Sequence, residues 1–258
     1  AYLTGYGEYG EMKDAPGFDN TAFWGRAGLL HDMIEGDSGV MPISPSAVGD
    51  ISSGAIFAMG MLAAIRNRDK TGEGMKVTTS LLEVGLYFNH SQMIFNQLGV
   101  NYPKGMSTPN RAMSNTYKVK DGYIYLITLN FERDFPKLLK SLGLEQYIGD
   151  PRWTCMQDTQ GEGAIELSKI LQSGFINFTV EELREIFKKN EMAFGEFRSC
   201  TDELHDPQAE ANGYLSTVKY PDGKEFIVPN SPVQYNDEKA PDIEPSVPAG
   251  FNTMEILK

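Results

Sequence analysis

The spacing of apolar residues changes several times along the chain, and each change marks a predicted element. Over residues 51–66 the apolar side chains fall on every side of a helical wheel: Ile51, Ala55, Ile56, Phe57, Met59, Leu62 and Ile65. A helix that is apolar all round belongs in an interior, so 51–66 is predicted to be buried. Gly54 and Gly60 lower its helicity but permit close backbone packing. Asp50 stands at the predicted N-cap, where a carboxylate can accept backbone N–H bonds. The helix gives way over 67–74, and Thr71-Gly72-Glu73-Gly74 is a turn into a strand predicted at 75–79. A second helix is predicted over 81–98, mostly apolar, with Glu83 its lone acidic residue.

The flanking segments read differently. Residues 1–48 are rich in Gly, Pro and Asp, with a strand end at Tyr2-Leu3-Thr4 and a short helical stretch near 22–30. Residues 99–116 form a linker or active-site loop. A hairpin follows, with 117–120 and 123–128 flanking a turn at Asp121-Gly122. Helices are predicted at 131–142, 164–172 and 180–189, the last opening on a capping box of Thr179 and Glu182. A second hairpin signal lies at Pro221-Asp222-Gly223, in a turn-rich and Pro-rich segment. Helix, glycine turn, strand, helix is the rhythm of an α/β domain. The chain therefore divides into 1–98, a domain carrying the two apolar helices; 99–116, a loop; 117–200, a small α+β domain; and 201–258, a return segment.

Composition narrows the class. With 258 residues, 41% of them hydrophobic, and 14 Phe and 12 Tyr, the chain has material for a substantial core. A net charge of −12 makes nucleic acid a poor partner, since phosphates repel such a surface. The Lys137/Lys140 and Lys188/Lys189 pairs read as solvated helix faces. No apolar run is expected to span a bilayer, and the opening Ala1–Gly5 shows no signal-peptide pattern. Cys155 and Cys200 are isolated, which fits a reducing cytoplasm and no metal or redox pair. His31, His90 and His205 show no ligand spacing.

Few residues announce chemistry. There is no Gly-x-Ser-x-Gly elbow for a serine nucleophile. Gly72-x-Gly74 follows a helix and precedes a strand, the reverse of a dinucleotide fingerprint. Asp50 is the carboxylate of interest. At the start of a helix it meets the positive end of the dipole and free N–H groups, which favour the anion a carboxylate nucleophile needs. A plain structural cap is the alternative that local sequence leaves open.

Ordered motifs bear on that choice. Gly5-Tyr6-Gly7-Glu8-Tyr9-Gly10, Pro16-Gly17-Phe18-Asp19, Val48-Gly49-Asp50-Ile51-Ser52-Ser53-Gly54 and Lys70-Thr71-Gly72-Glu73-Gly74-Met75-Lys76-Val77 occur in succession. Leu204-His205-Asp206-Pro207-Gln208 and Met254-Glu255-Ile256-Leu257 follow. Their order and spacing resemble the type III CoA-transferases, most of all those moving CoA between 2-hydroxy acids and enoyl-CoAs in amino-acid fermentation. The resemblance implies an α/β fold: part of a Rossmann-like large domain, an inserted small α+β domain and interlocked homodimers. It implies that the N-terminal part of the family fold, roughly the first hundred residues, is absent here. It implies Asp50 as nucleophile, forming a mixed anhydride and then an enzyme–CoA thioester. Acyl-CoA and a free carboxylic acid would be the substrates, with no permanently bound cofactor and no metal. Phe18 and Leu81 stand where relatives line the CoA thiol end, although a core role is open for each. The family's glycine-rich lid would correspond to 106–111, which has no glycine run.

Two other functions compete. An α-methylacyl-CoA racemase shares the family's fold and needs a base on each face of the α-carbon. Its histidine falls in a Gly-His-Asp stretch, which here reads Gly17-Phe18-Asp19, and Phe carries no proton. A non-catalytic CoA-binding or assembly subunit is the third reading, weakened by the presence of Asp50.

Overall fold

The structure is a computed structural model that describes residues 1–33, 44, 45, 47–99, 109–236 and 243–258. It has two compact units, 1–195 and 196–258. The architecture mixes helices with three small sheets. Residues 100–108, which include half of the predicted lid at 106–111, lie outside the described residues.

The first unit opens with β1 (Tyr2–Thr4), a π-helix (Asp19–Arg26) and α1 (Leu29–Asp32). Helix α2 (Val48–Thr71), β2 (Thr78–Ser80), α3 (Leu81–Phe88) and α4 (His90–Gln97) follow. Strands β1 and β2 pair in parallel, Leu3 opposite Thr79. The Leu82 N–H donates to Gly5 O at 3.0 Å, which ties the glycine-rich segment after β1 to the first turn of α3. The π-helix packs against both α2 and α3. Its core is small: Ala22, Phe23, Leu81 and Val84, flanked by Tyr6, Trp24, Leu29 and Ile56. Two glycines let the backbones close on it. A Cβ on Gly85 would lie 2.7 Å from Phe23 O, and one on Gly49 would fall on Asp19 Oδ1 and the Phe23 ring.

A second, larger core belongs to β3 (Ser114–Lys118), β4 (Tyr123–Ile127), α5 (Phe131–Ser141), α6 (Glu162–Phe175), α7 (Val180–Lys189) and β5 (Phe194–Glu196). Short 3₁₀ turns at Glu145–Tyr147 and Met156–Thr159 link the helices. The sheet order is β3-β4-β5, with β3 and β4 antiparallel. Ile124 and Leu126 point inward while Tyr123, Tyr125 and Ile127 face out, the alternation of a sheet covered on one side. Helix α6 supplies Ala164, Leu167, Leu171 and Phe175, the i, i+3, i+7 stripe of an amphipathic helix. Phe175 stacks on Tyr117 at 4.6 Å, and the buried Tyr117 hydroxyl donates to Ala112 O at 2.6 Å. Burial pushes the Tyr117 phenol well above its ordinary value. The predicted capping box forms: Thr179 Oγ1 accepts from the Glu182 N–H, and Glu182 Oε2 accepts from the Thr179 N–H. Asp121 in the hairpin turn adds a third acceptor, taking the Val180 N–H at 2.9 Å.

The second unit holds α8 (Cys200–Glu203), α9 (Pro207–Ala211), the hairpin of β6 (Leu215–Lys219) and β7 (Glu225–Pro229), and α10 (Thr253–Ile256). Its turn contains the predicted Pro221-Asp222-Gly223, with Gly223 in the left-handed region at φ 86°. Arg198 joins Glu203 at 2.8 Å and Asp206 at 3.2 Å.

Four expectations are corrected. The predicted 81–98 helix is two helices, broken at Asn89, whose buried side chain donates to Ala27 O at 2.9 Å. The first hairpin's turn is shifted by one residue: Val119 N–H bonds Gly122 O, placing Lys120 and Asp121 at its centre. The helix predicted at 51–66 runs 48–71, and only Gly49 and Ser53 are buried in it. Ile51, Met59, Leu62 and Ile65 are exposed. Finally, an 18-residue window of α2 has a mean hydropathy of 1.6, so by length and composition alone α2 could span a bilayer. The unbroken apolar run covers only residues 54–65, bounded by Ser52-Ser53 and Arg66, so the span emerges from the whole window rather than from one long run.

The close approach at Gly49 generates a prediction. Gly49→Ala should destabilise the protein by about 1–3 kcal/mol through overpacking, read as a lower midpoint in urea unfolding. Phe175→Ala, a cavity in the larger core, should cost about 3–5 kcal/mol in the same assay.

Candidate functional site

The N-terminus of α2 gathers the residues of interest. The N-cap is Ala47, in the left-handed region at φ 63°, with no side chain able to accept a hydrogen bond. Asp50 is therefore the third helical residue, not the N-cap expected from sequence; the helix starts two residues earlier, at Val48. This shift frees the carboxylate. A capping Asp would spend its oxygens on the N–H groups of its own helix, whereas the Asp50 side chain is exposed, on the turn where the dipole is positive.

The donor that Ala47 cannot satisfy is met from a distance. The Gly49 N–H donates to Asp19 Oδ1 at 3.0 Å, across thirty residues of sequence. Losing that acceptor would leave a buried N–H unsatisfied, a cost of about 1–3 kcal/mol. Asp19 is 6% exposed and begins the π-helix. One residue before it, Phe18 is 65% exposed, its backbone held by the Thr21 hydroxyl, which accepts from Phe18 N–H at 3.0 Å. Phe18 and Asp50 are thus the sequence neighbours of the two ends of one hydrogen bond. The Phe18 ring is exposed rather than part of the core.

Leu81 is buried. At 6% exposure it packs with Ala22, Phe23 and Val84 in the small core. The Ser80 hydroxyl before it caps α3 by accepting from the Glu83 N–H at 3.0 Å. Glu83 itself is exposed. His205 lies in the turn between α8 and α9, in the second unit. Glu8 sits 2.5 Å from Lys76 Nζ and holds that ammonium above its ordinary range. No cluster of three or more metal-ligating side chains occurs among the described residues.

Sequence reasoning missed Asp19. Its motif, Gly17-Phe18-Asp19, was read only for the residue between glycine and aspartate. Ser53, fully buried one helical turn after Gly49, was likewise read only as part of a motif.

Comparison with known proteins identifies the family. The family model for CoA-transferase family III matches residues 1–253. The (R)-2-hydroxy-4-methylpentanoate CoA-transferase of Clostridioides difficile is 32% identical over 99% of this chain and 64% of its own length. The cinnamoyl-CoA:phenyllactate CoA-transferase of Clostridium sporogenes is 31% identical over 100% of this chain and 63% of its own. The chain thus spans a little under two thirds of these curated relatives. Among solved structures, Rv3272 from Mycobacterium tuberculosis superposes with a TM-score of 0.81 at 21% identity, covering 98% of this chain and 67% of that one. A CaiB/BaiF family protein from Brucella suis gives 0.77 at 22% identity, over 99% and 66%. Those two likenesses concern the α/β fold alone; the family match covers nearly every residue described above, and the chain belongs to CoA-transferase family III.

Proposed function

We propose that this chain carries the nucleophile of a CoA-transferase that exchanges CoA between an acyl-CoA and a free 2-hydroxy acid or enoate. The observation that carries the reading is the Asp50 carboxylate, exposed on the first turn of α2 and spared from capping by Asp19. The acid class rests on the names of the two clostridial relatives.

In this reading an Asp50 oxygen attacks the thioester carbonyl of the donor. The C–S bond breaks, CoA leaves as thiolate, and an acyl-aspartyl anhydride remains. The thiolate then attacks the Asp50 side-chain carbonyl, the donor acid departs as carboxylate, and Asp50 holds CoA as a thioester. An oxygen of the incoming acid attacks that thioester, and the returning thiolate takes the new acyl group from the second anhydride, freeing Asp50. Each step exchanges one activated acyl bond for another, so the energy of the thioester is conserved and CoA thioesters are substrates rather than resident cofactors. The exposed Phe18 ring beside the site gives the apolar end of an acyl or pantetheine chain a surface to lie on.

The exposed apolar residues of α2 and α4 fit the same reading. Met59 and Leu62 on α2, with Met93 and Ile94 on α4, are all more than 40% exposed. Surfaces of this kind mark sites covered in an assembly, and we assign their cover to the homodimer the family resemblance implies, in a cytoplasmic enzyme. A membrane span is a poor account of α2, because its first turn would carry the reacting carboxylate into hydrocarbon.

Asp50→Asn should abolish exchange between an acyl-CoA and an added 2-hydroxy acid while leaving the melting temperature within a few degrees of the parent, because an amide is a very poor nucleophile. Near-parental exchange by the folded variant would remove Asp50 from the mechanism. The racemase makes the opposite demand at the α-carbon. Incubated with a chiral 2-methylacyl-CoA in deuterated water, the protein should leave the α-carbon unlabelled by mass spectrometry. Rapid labelling without transfer to added acids would decide for the racemase, and neither labelling nor transfer for a non-catalytic subunit.

A further inference from the structure

Asp19 is more expensive than a packing residue needs to be. Its side chain is buried at 6% exposure, yet only Oδ1 is hydrogen bonded, to the Gly49 N–H. Oδ2 has no hydrogen-bond partner among the described residues, and the fully buried Ser53 hydroxyl, one turn beyond Gly49 on the same face of α2, has none either. Buried polar groups left partly unpaired are costly, and an apolar side chain of similar volume packs into such a place at lower cost. Asp19 also opens a π-helix, a geometry that recurs at functional sites.

The first turn of α2 has a matching need. Its N-cap residue offers no side-chain acceptor, so the Gly49 peptide plane is oriented by Asp19. That N–H lies in the Val48–Gly49 peptide plane, one residue before the Asp50 Cα, so holding it fixes the helical turn from which the Asp50 side chain leaves. The fit is too tight for compensation: a Cβ on Gly49 would strike both Asp19 Oδ1 and Phe23.

We propose that Asp19 is the positioning residue of this site: through the Gly49 N–H it fixes the first turn of α2 so that the Asp50 carboxylate meets the thioester carbonyl in line for attack. Asp19 touches no substrate. The inference rests on Asp50 being the nucleophile.

The test compares the parent protein with Asp50→Asn, Asp19→Ala, Asp19→Leu and Asp19→Asn. It measures kcat and KM for acyl-CoA exchange, thermal melting, and trapping of acylated Asp50 as its hydroxamate by hydroxylamine, read by peptide mass. Removing the acceptor in Asp19→Ala should lower kcat about 10²-fold, the cost typical of a misplaced reacting group, with KM for acyl-CoA nearly unchanged. Hydroxamate should form at Asp50 correspondingly more slowly. Asp19→Leu fills the volume and repeats the measurement where Asp19→Ala does not fold. Asp19→Asn retains an oxygen that accepts the Gly49 N–H and should recover most of the lost rate. A folded Asp19→Ala or Asp19→Leu with parental kcat overturns the proposal, as does an Asp19→Asn as slow as those two. Full exchange by Asp50→Asn instead defeats the nucleophile assignment, whatever the Asp19 variants do.

Discussion

The hydrogen bond from the Gly49 N–H to Asp19 Oδ1 does two jobs that are usually separate. A helix of 24 residues starting on a left-handed alanine has orphan N–H groups and no side chain of its own to meet them. Supplying the acceptor from the π-helix satisfies one of these groups and pins α2 against Phe23 at the point where glycine alone fits. Because the cap comes from outside, the acidic residue native to that turn, Asp50, keeps an exposed carboxylate. The Gly85 contact with Phe23 and Ala27 holds the other side of the π-helix against α3, so the site is clamped between two helices through close backbone approaches. Glycines that lower helicity in isolation thereby fix geometry in the fold.

The glycine-rich loop after β1 joins the same frame. Gly5 and Gly17 meet back to back, since a Cβ on Gly5 would lie 2.6 Å from the Gly17 Cα. Gly17 precedes Phe18, and Gly5 O receives the first-turn N–H of α3 from Leu82. The parallel β1–β2 pair, the start of α3 and the segment carrying Phe18 and Asp19 are therefore mutually fixed. An exposed ring at Phe18 can hold a defined position on such a base without burying itself, which is what the proposed substrate surface would require.

What could be read from sequence follows from the range of the interactions involved. Local signals were legible: the Thr179–Glu182 capping box, the hairpin around Asp222-Gly223 and the stripe of α6 depend on residues within a turn or two of one another. The motif draws attention to Asp50 but not to its position in the helix, because the acceptor for the Gly49 N–H lies thirty residues away and no local pattern announces it. Asn89 splits the second helix for a similar reason, since its side chain answers to Ala27, sixty-two residues earlier. Asp19 had a signal, its place beside Phe18, yet one aspartate in a loop looks like any turn residue until its carboxylate is seen buried.

Helix α2 shows the limit of the periodicity argument from the other side. Apolar residues distributed around the whole wheel leave no preferred face, so the pattern predicts burial without saying against what. In this structure one narrow line, Gly49 and Ser53, is buried against the π-helix, and large side chains such as Ile51, Met59 and Leu62 stay exposed. Neither of the two buried residues carries a large apolar side chain. Burial there follows from backbone closeness and the Asp19 contact rather than from greasiness, and the apolar remainder is surface whose cover must come from contacts outside those described. In the proposed function such a helix would couple assembly to chemistry, since whatever packs on Met59 and Leu62 would also brace the helix whose first turn presents Asp50.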